Sequence, residues 1–208
     1  MTDHGLLRLG GLVEGALTNA LDALSGNDLA LADGVVRGDL EINRARYQIE
    51  EQITDQLSGG DAGQVRWMVA ALYVLSELER MGDHAEGIAK VTLMLGPHPT
   101  LSVPAVITEM GATTLKMVHR TLAAFEKRDA RAARALCRED DEIDGLYDRA
   151  YQELISIMVA DRKHVTEATY LIWITHNLER IADRATNICE RVVYLVTGRV
   201  EELNVSKY

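Results

Sequence analysis

From Leu6 to Leu24 the apolar residues Leu9, Leu12, Val13, Ala16, Leu17, Ala20, Leu21 and Leu24 recur three and four apart. That spacing predicts one helix with a single buried stripe. Ser25-Gly26-Asn27-Asp28 closes this helix and caps the next. The second segment, from about Asp28 to Leu57, marks its expected buried positions less regularly, at Leu31, Val35, Val36, Leu40, Ile42, Tyr47, Ile49 and Ile53. Ser58-Gly59-Gly60-Asp61 ends it, and Asp61 is the expected amino-terminal cap of a third helix reaching about Leu95. Gly96-Pro97-His98-Pro99 is the strongest break in the chain, and Pro104 follows just before a fourth helix. The pattern then restarts, with helices predicted from about Val103 to Glu126, Asp129 to Ala160 and Val165 to Thr197, the last closed by Gly198. Short turns between successive helices predict antiparallel neighbours.

The restart is a repetition. At an offset of 101, Gly10 meets Gly111, Leu21 meets Leu122, Asp28 meets Asp129, Asp39 meets Asp140 and Ile42 meets Ile143. Beyond the second turn the offset becomes 100, and Leu78-Glu79-Arg80-Met81-Gly82-Asp83 meets Leu178-Glu179-Arg180-Ile181-Ala182-Asp183. The expected fold is therefore all-α: two tandem three-helix bundles, residues 1–96 and 97–208. Because a three-helix unit has a limited core, the copies are expected to dock side by side with approximate two-fold symmetry.

Composition agrees and narrows the function. The chain is 47% hydrophobic but only 5% aromatic, with 3 prolines, which favours helix formers over strand formers. A formal charge of −10 argues against nucleic-acid binding, which needs a basic footprint. It suits cations or basic patches on partners. Cys137 and Cys189 stand apart with no Cys-x-x-Cys, and are expected to be buried small hydrophobes. The amino terminus lacks the basic start and apolar run of a secretory signal, and the longest apolar run, Trp67 to Leu75, is too short to span a bilayer. The expectation is a cytoplasmic protein able to sit against a membrane complex.

Candidate chemistry lies in the repeated stretch. Glu179 and Asp183 project from one helix face, with Glu190 and Asn187 within about 80° of Glu179 at ~100° per residue. The fifth helix offers a matching row at Asp140, Asp144 and Asp148, so antiparallel packing would gather carboxylates in one patch. Such a cluster needs compensating positive charge. Arg180, Arg184 or Arg149 would leave an ordinary solvated acidic face; a hard or borderline cation such as magnesium, manganese or iron would make it a metal site. The first copy keeps Glu79, Asp83, Glu86 and Asp39 but has Asn43 and Tyr47 where the second has Asp144 and Asp148, so a weaker or lost site is expected there. His84 and His176 each occur in one copy only and are expected in surface or hydrogen-bonding roles. Tyr73 and Trp173, at matching positions, are expected to be packing anchors. No Glu has a His three positions on, as di-iron carboxylate bundles do, and no phosphate loop or nucleophile elbow is present, so no enzyme is expected.

The duplicated Glu-Arg-(Ile/Met)-(Gly/Ala)-Asp, followed in the second copy by Asn187-Ile188-Cys189-Glu190 and Gly198, and preceded by Arg138-Glu139-Asp140-Asp141-Glu142-Ile143-Asp144, resembles the PhoU family over almost the whole chain. The resemblance implies a cytoplasmic negative regulator of phosphate uptake and phosphate-starvation signalling. It implies an adaptor between the ATPase subunit of the phosphate ABC transporter and the phosphate-sensing histidine kinase, peripheral to the membrane complex and compatible with a homodimer. It also implies metal sites, with Glu179, Asp183, Asp140 and Asp144 as ligands in the second half and Glu79, Asp83 and Asp39 in the first, for iron, manganese, zinc or magnesium. The alternative is a metal-dependent helical scaffold serving another transporter or polyphosphate homeostasis.

Overall fold

The computed structural model describes residues 2–56 and 62–203. Six helices follow in order: α1 (Thr2–Gly26), α2 (Leu29–Gln56), α3 (Ala62–Leu95), α4 (Ala105–Lys127), α5 (Ala130–Ala160) and α6 (Val165–Thr197), with a 3-10 turn at Arg162–His164 before α6. No strand occurs among the described residues. The Ser58-Gly59-Gly60-Asp61 turn and the Asp61 cap lie outside the described residues. α1 begins a turn earlier than its apolar stripe, because Leu6 is its first fully buried side chain and the residues before it carry no hydrophobic signal.

Within the first repeat α1, α2 and α3 pack pairwise, as do α4, α5 and α6 in the second; α3 lies against α6 and α1 against α4 to join them. One connected apolar core runs through all six helices, from Leu9 and Leu17 to Ile143, Leu178 and Val193. The tandem copies therefore share a core.

The repetition extends to individual turns. Asn27 (φ 47°) and Arg128 (φ 51°) are both left-handed and close α1 and α4. Asp28 N–H donates to the Ala23 carbonyl at 2.9 Å, and Asp129 N–H to the Ala124 carbonyl at 2.9 Å. Asp28 then caps α2 by accepting from the Ala30 and Leu31 amides, as Asp129 caps α5 by accepting from those of Arg131 and Ala132. Across the repeats the symmetry is two-fold. A Cβ on Gly10 would stand 2.6 Å from a Leu122 methyl, and one on Gly111 2.7 Å from a Leu21 methyl, so each glycine receives the partner repeat's copy of the same leucine. In the α3–α6 packing, Arg184 donates to Glu77 at 3.3 Å while His84 Nδ1 lies 2.9 Å from Asn177 Oδ1. At the offset of 100 these are one contact made twice, once as an ion pair and once as a neutral pair.

The segment between the repeats is anchored. The Glu167 carboxylate accepts from Thr100 N–H at 2.9 Å, Thr100 Oγ1 at 2.9 Å and Leu101 N–H at 2.7 Å, and Asn27 Nδ2 donates to the Pro97 carbonyl at 3.2 Å. Partial desolvation pushes the Glu167 pKa up, but these bonds from Thr100 and Leu101 outweigh it and hold the group below its ordinary 4.5. A lowered carboxylate pKa gives an anchor that is complete above the ordinary value and lost as pH falls through the lowered one. Hydrogen exchange at Thr100 and Leu101 should therefore speed up below about pH 4.5 relative to neighbouring core amides, and Glu167→Ala should give the fast exchange at neutral pH. Unchanged protection in the variant would mean that the linker is held otherwise.

Several expected core positions lie outside the core. Leu40 is 62% exposed and Tyr47 59% exposed, because α2 turns another face inward, burying Ala32, Val35, Ile42, Ile49 and Ile53 with Leu31, Val36 and Ala45 packed partly buried beside them. Tyr73 (53% exposed) and Trp173 (46% exposed) are not packing anchors. They occupy the outward face of the third helices, where the Arg191 guanidinium lies 4.6 Å from the Tyr73 ring and Tyr170 lies 5.4 Å from Trp173.

Candidate metal centre

α5 and α6 pack against each other along their lengths, so the Asp140–Asp144–Asp148 row is carried beside the Glu179–Asp183 pair. The row is not uniform. Asp140 is buried at the α5–α6 contact near Glu190 and the two thiols, Asp144 is half-buried, and Asp148 is exposed. Burial of Asp140 sets it apart from the rest of the row. It arises because Leu136, Cys137 and Ile143 on the same stretch of α5 are core residues, which pull the whole turn inward.

Glu179 is the most perturbed carboxylate of the set. Its side chain is 25% exposed, with Oε2 buried and without a hydrogen-bond partner; the nearest basic atom, His176 Nδ1, is 3.6 Å away. Burial, then the charges of Asp183 and Asp144, push its pKa up to about 7 against the opposing pull of Arg180 and Arg184. Asp183 accepts from Arg180 Nη1 at 2.9 Å, so the local ion pair is made there, while Arg184 turns away to Glu77.

The first repeat gathers an acidic group of its own. Burial, followed by the carboxylates of Glu86, Asp83 and Glu79, pushes the Asp39 pKa up, with Lys90 opposing. Asp39 Oδ1 is buried without a partner, while Oδ2 accepts from Asn43 Nδ2 at 2.6 Å. Lys90, at the position equivalent to Glu190, sits 2.6 Å from Glu86 and supplies a cation in place of an acid. Glu79 is half-buried and Asp83 exposed.

Among the described residues, no three His, Cys, Asp or Glu side chains stand together so that they could hold a metal ion. What fits a cation is the donor chemistry: each cluster is all-oxygen, carboxylate-rich, and holds one buried carboxylate oxygen with no hydrogen-bond partner, Glu179 Oε2 in the second repeat and Asp39 Oδ1 in the first. The two histidines act as expected, His84 in its bond to Asn177 and His176 at the surface beside Glu179.

Two features escaped the sequence. Cys137 and Cys189, 52 residues apart, meet between α5 and α6; both are buried, and the hydrogen bond from one thiol to the other, together with burial, pushes the Cys137 thiol up. Tyr147 and Tyr151 stand beside the acidic row and form, with Asp144, Asp148 and Glu179, the wall of a cavity. Their i, i+4 spacing, interleaved with Asp144 and Asp148, was the available signal.

A family model described as the PhoU domain matches residues 6–92 and again 107–192. The phosphate-specific transport system accessory protein PhoU homologue of Clostridium acetobutylicum is 32% identical over 96% of this chain and 92% of its own length. That of Streptococcus pneumoniae serotype 4 is 33% identical over 97% and 94%. The crystal structure of the phosphate transport system regulatory protein PhoU from Streptococcus pneumoniae superposes with a TM-score of 0.91 at 32% identity, covering 97% of this chain and 96% of that one. The crystal structure of PhoU from Pseudomonas aeruginosa does so at 0.90 and 32%, covering 95% and 96%. With both repeats matched and the fold shared end to end, the chain belongs to the PhoU family.

Proposed function

We propose that this protein is a negative regulator of phosphate uptake and phosphate-starvation signalling. It acts as a cytoplasmic adaptor between the ATPase subunit of a phosphate ABC transporter and a phosphate-sensing histidine kinase. The observation that carries the reading is end-to-end similarity to proteins named as accessory to phosphate-specific transport, covering both repeats. The absence, among the described residues, of any helix long and apolar enough to cross a membrane accords with a peripheral role. Deleting the gene and assaying alkaline phosphatase in phosphate-replete medium tests it. Derepression is expected; phosphatase that stays off would overturn the reading in favour of a scaffold for another transporter or for polyphosphate.

The acidic clusters enter this function as cation sites. Glu179, Asp183, Asp140 and Asp144 would hold the ion in the second repeat and Glu79, Asp83 and Asp39 in the first, each set having to draw together on binding, since no three of these side chains stand close enough among the described residues. Support comes from the Glu179 and Asp39 oxygens that lack a hydrogen-bond partner and from the burial and mutual repulsion that raise both pKa values. When bound, the ion supplies positive charge, and no bond-making step is assigned to it. The first repeat is the weaker site, since Asn43 already engages Asp39 and Lys90 offsets Glu86. Elemental analysis of the purified protein should find iron, manganese, zinc or magnesium, reduced to half or less in Glu179→Ala/Asp183→Ala. Equal metal in variant and parent would sink the assignment.

A further inference from the structure

Between α5 and α6 lies a cavity of about 390 Å3, lined by Asp144, Tyr147, Asp148 and Tyr151 of α5 and Glu179 of α6. The two tyrosine rings stack with centroids 6.3 Å apart and planes 21° from parallel. The space exceeds what one ion needs: at ~30 Å3 for each water it has room for on the order of ten. Aromatic faces also contribute little to an oxygen-ligated ion, whereas they attract planar organic cations.

The other repeat shows what such a wall accommodates. At the offset of 101, Asn43, Arg46, Tyr47 and Glu50 of α2 stand where Asp144, Tyr147, Asp148 and Tyr151 stand on α5. There the Arg46 guanidinium lies 4.9 Å from the Tyr47 ring centroid, with Nη1 3.2 Å from Glu50. The first repeat thus lays its own guanidinium between a tyrosine and a carboxylate on this stretch of helix. The second repeat keeps tyrosine and carboxylate there and puts an aromatic ring at the cation's position. The arginines around the cavity are engaged elsewhere: Arg180 with Asp183, Arg184 with Glu77, and Arg149 toward Glu109 at 3.8 Å.

We propose that the α5–α6 cavity receives an arginine side chain of a partner protein, stacked on Tyr147 and Tyr151 and paired with the carboxylates of Asp144 and Asp148. Arginine fits better than lysine because a planar guanidinium stacks on the rings and can bond a carboxylate through two nitrogens at once. The proposal rests on the adaptor reading above, which requires protein partners. Asp144 and Glu179 are shared with the metal set, whereas Tyr147, Asp148 and Tyr151 are outside it and separate the two assignments.

The test uses the full chain and N-acetyl-arginine-N-methylamide at millimolar concentration, followed by NMR, with the neutral citrulline analogue as control. Saturable shifts confined to the neighbourhood of Tyr147, Asp148, Tyr151 and Glu179, given by the arginine probe and not by the citrulline probe, are expected. Tyr151→Ala, at an exposed position that should tolerate it, should weaken the apparent affinity about tenfold while elemental analysis finds the parent's metal content. Tyr147→Arg, which restores the first repeat's own cation, should abolish the arginine-specific shifts in a folded protein. Equal shifts from both organic probes, or no shift from either, would overturn the proposal.

Discussion

Gly10→Val combined with Gly111→Val is expected to destabilise the protein by about 2–5 kcal/mol, the sum of two overpacking costs of roughly 1–3 kcal/mol less a few tenths for the better helix propensity of valine. The added atoms would meet Leu122 and Leu21 at 2.6 and 2.7 Å, closer than carbon atoms approach. Alanine is a much weaker test. Its single methyl gains about 1 kcal/mol of helix propensity over glycine, and the two leucines are only partly buried and can turn their methyls aside. A branched side chain leaves them less room. Because both substitutions press on the one α1–α4 crossing that joins the repeats, the urea transition should also broaden, as each three-helix unit begins to unfold on its own. An unchanged midpoint and slope would mean that α3 against α6 carries the docking unaided.

That crossing marks where sequence reading stops. Aligning the halves pairs Gly10 with Gly111 and Leu21 with Leu122, which establishes that the positions are equivalent. It does not establish that they touch, since a contact across a two-fold axis leaves no periodicity along the chain. The same holds for Glu77 with Arg184 and Asn177 with His84. Within the second repeat, Cys137 and Cys189 look isolated at a separation of 52 residues and share one buried space. Helices, caps and the midpoint break were legible because each depends on neighbours within about four residues. Asp28 and Asp129 cap their helices as their spacing implies.

Exposure was legible only in part. Tyr47, Tyr73 and Trp173 are apolar enough to suggest burial, yet whether a helix face is covered depends on a third helix that the local pattern does not describe. For the candidate site, spacing brought the carboxylates to neighbouring helices. The depth of each was hidden: Asp140 drawn into the core, Glu179 with one oxygen sealed off, Asp148 in water. Those depths decide which group carries the electrostatic strain.

Glu179 should therefore set a pH dependence opposite to that of most paired carboxylates. Its folded pKa, about 7, lies above its ordinary 4.5, so between those values the folded protein holds a proton that the unfolded chain has released. Stability of the metal-free protein should then fall as pH rises from about 4.5 to about 7 and level off above. At ~1.36 kcal/mol for each pH unit the full gap would be worth roughly 3 kcal/mol, and the partial exposure of the side chain to screening solvent reduces this to about 1–2 kcal/mol. Asp39, raised for the same reasons, adds a contribution of the same sign, while Glu167, lowered, acts only at more acid pH. Glu179→Gln should flatten the decline, leaving the variant more stable than the parent at pH 8 and close to it at pH 4.5, as read from urea midpoints in chelator-treated protein. Manganese added at pH 8 should restore stability to the parent and not to Glu179→Gln, because the ion takes the place of the proton. Parallel profiles for parent and variant would show that the repulsion around Glu179 is already balanced by Arg180 and Arg184, and would leave the cation without a role in the fold.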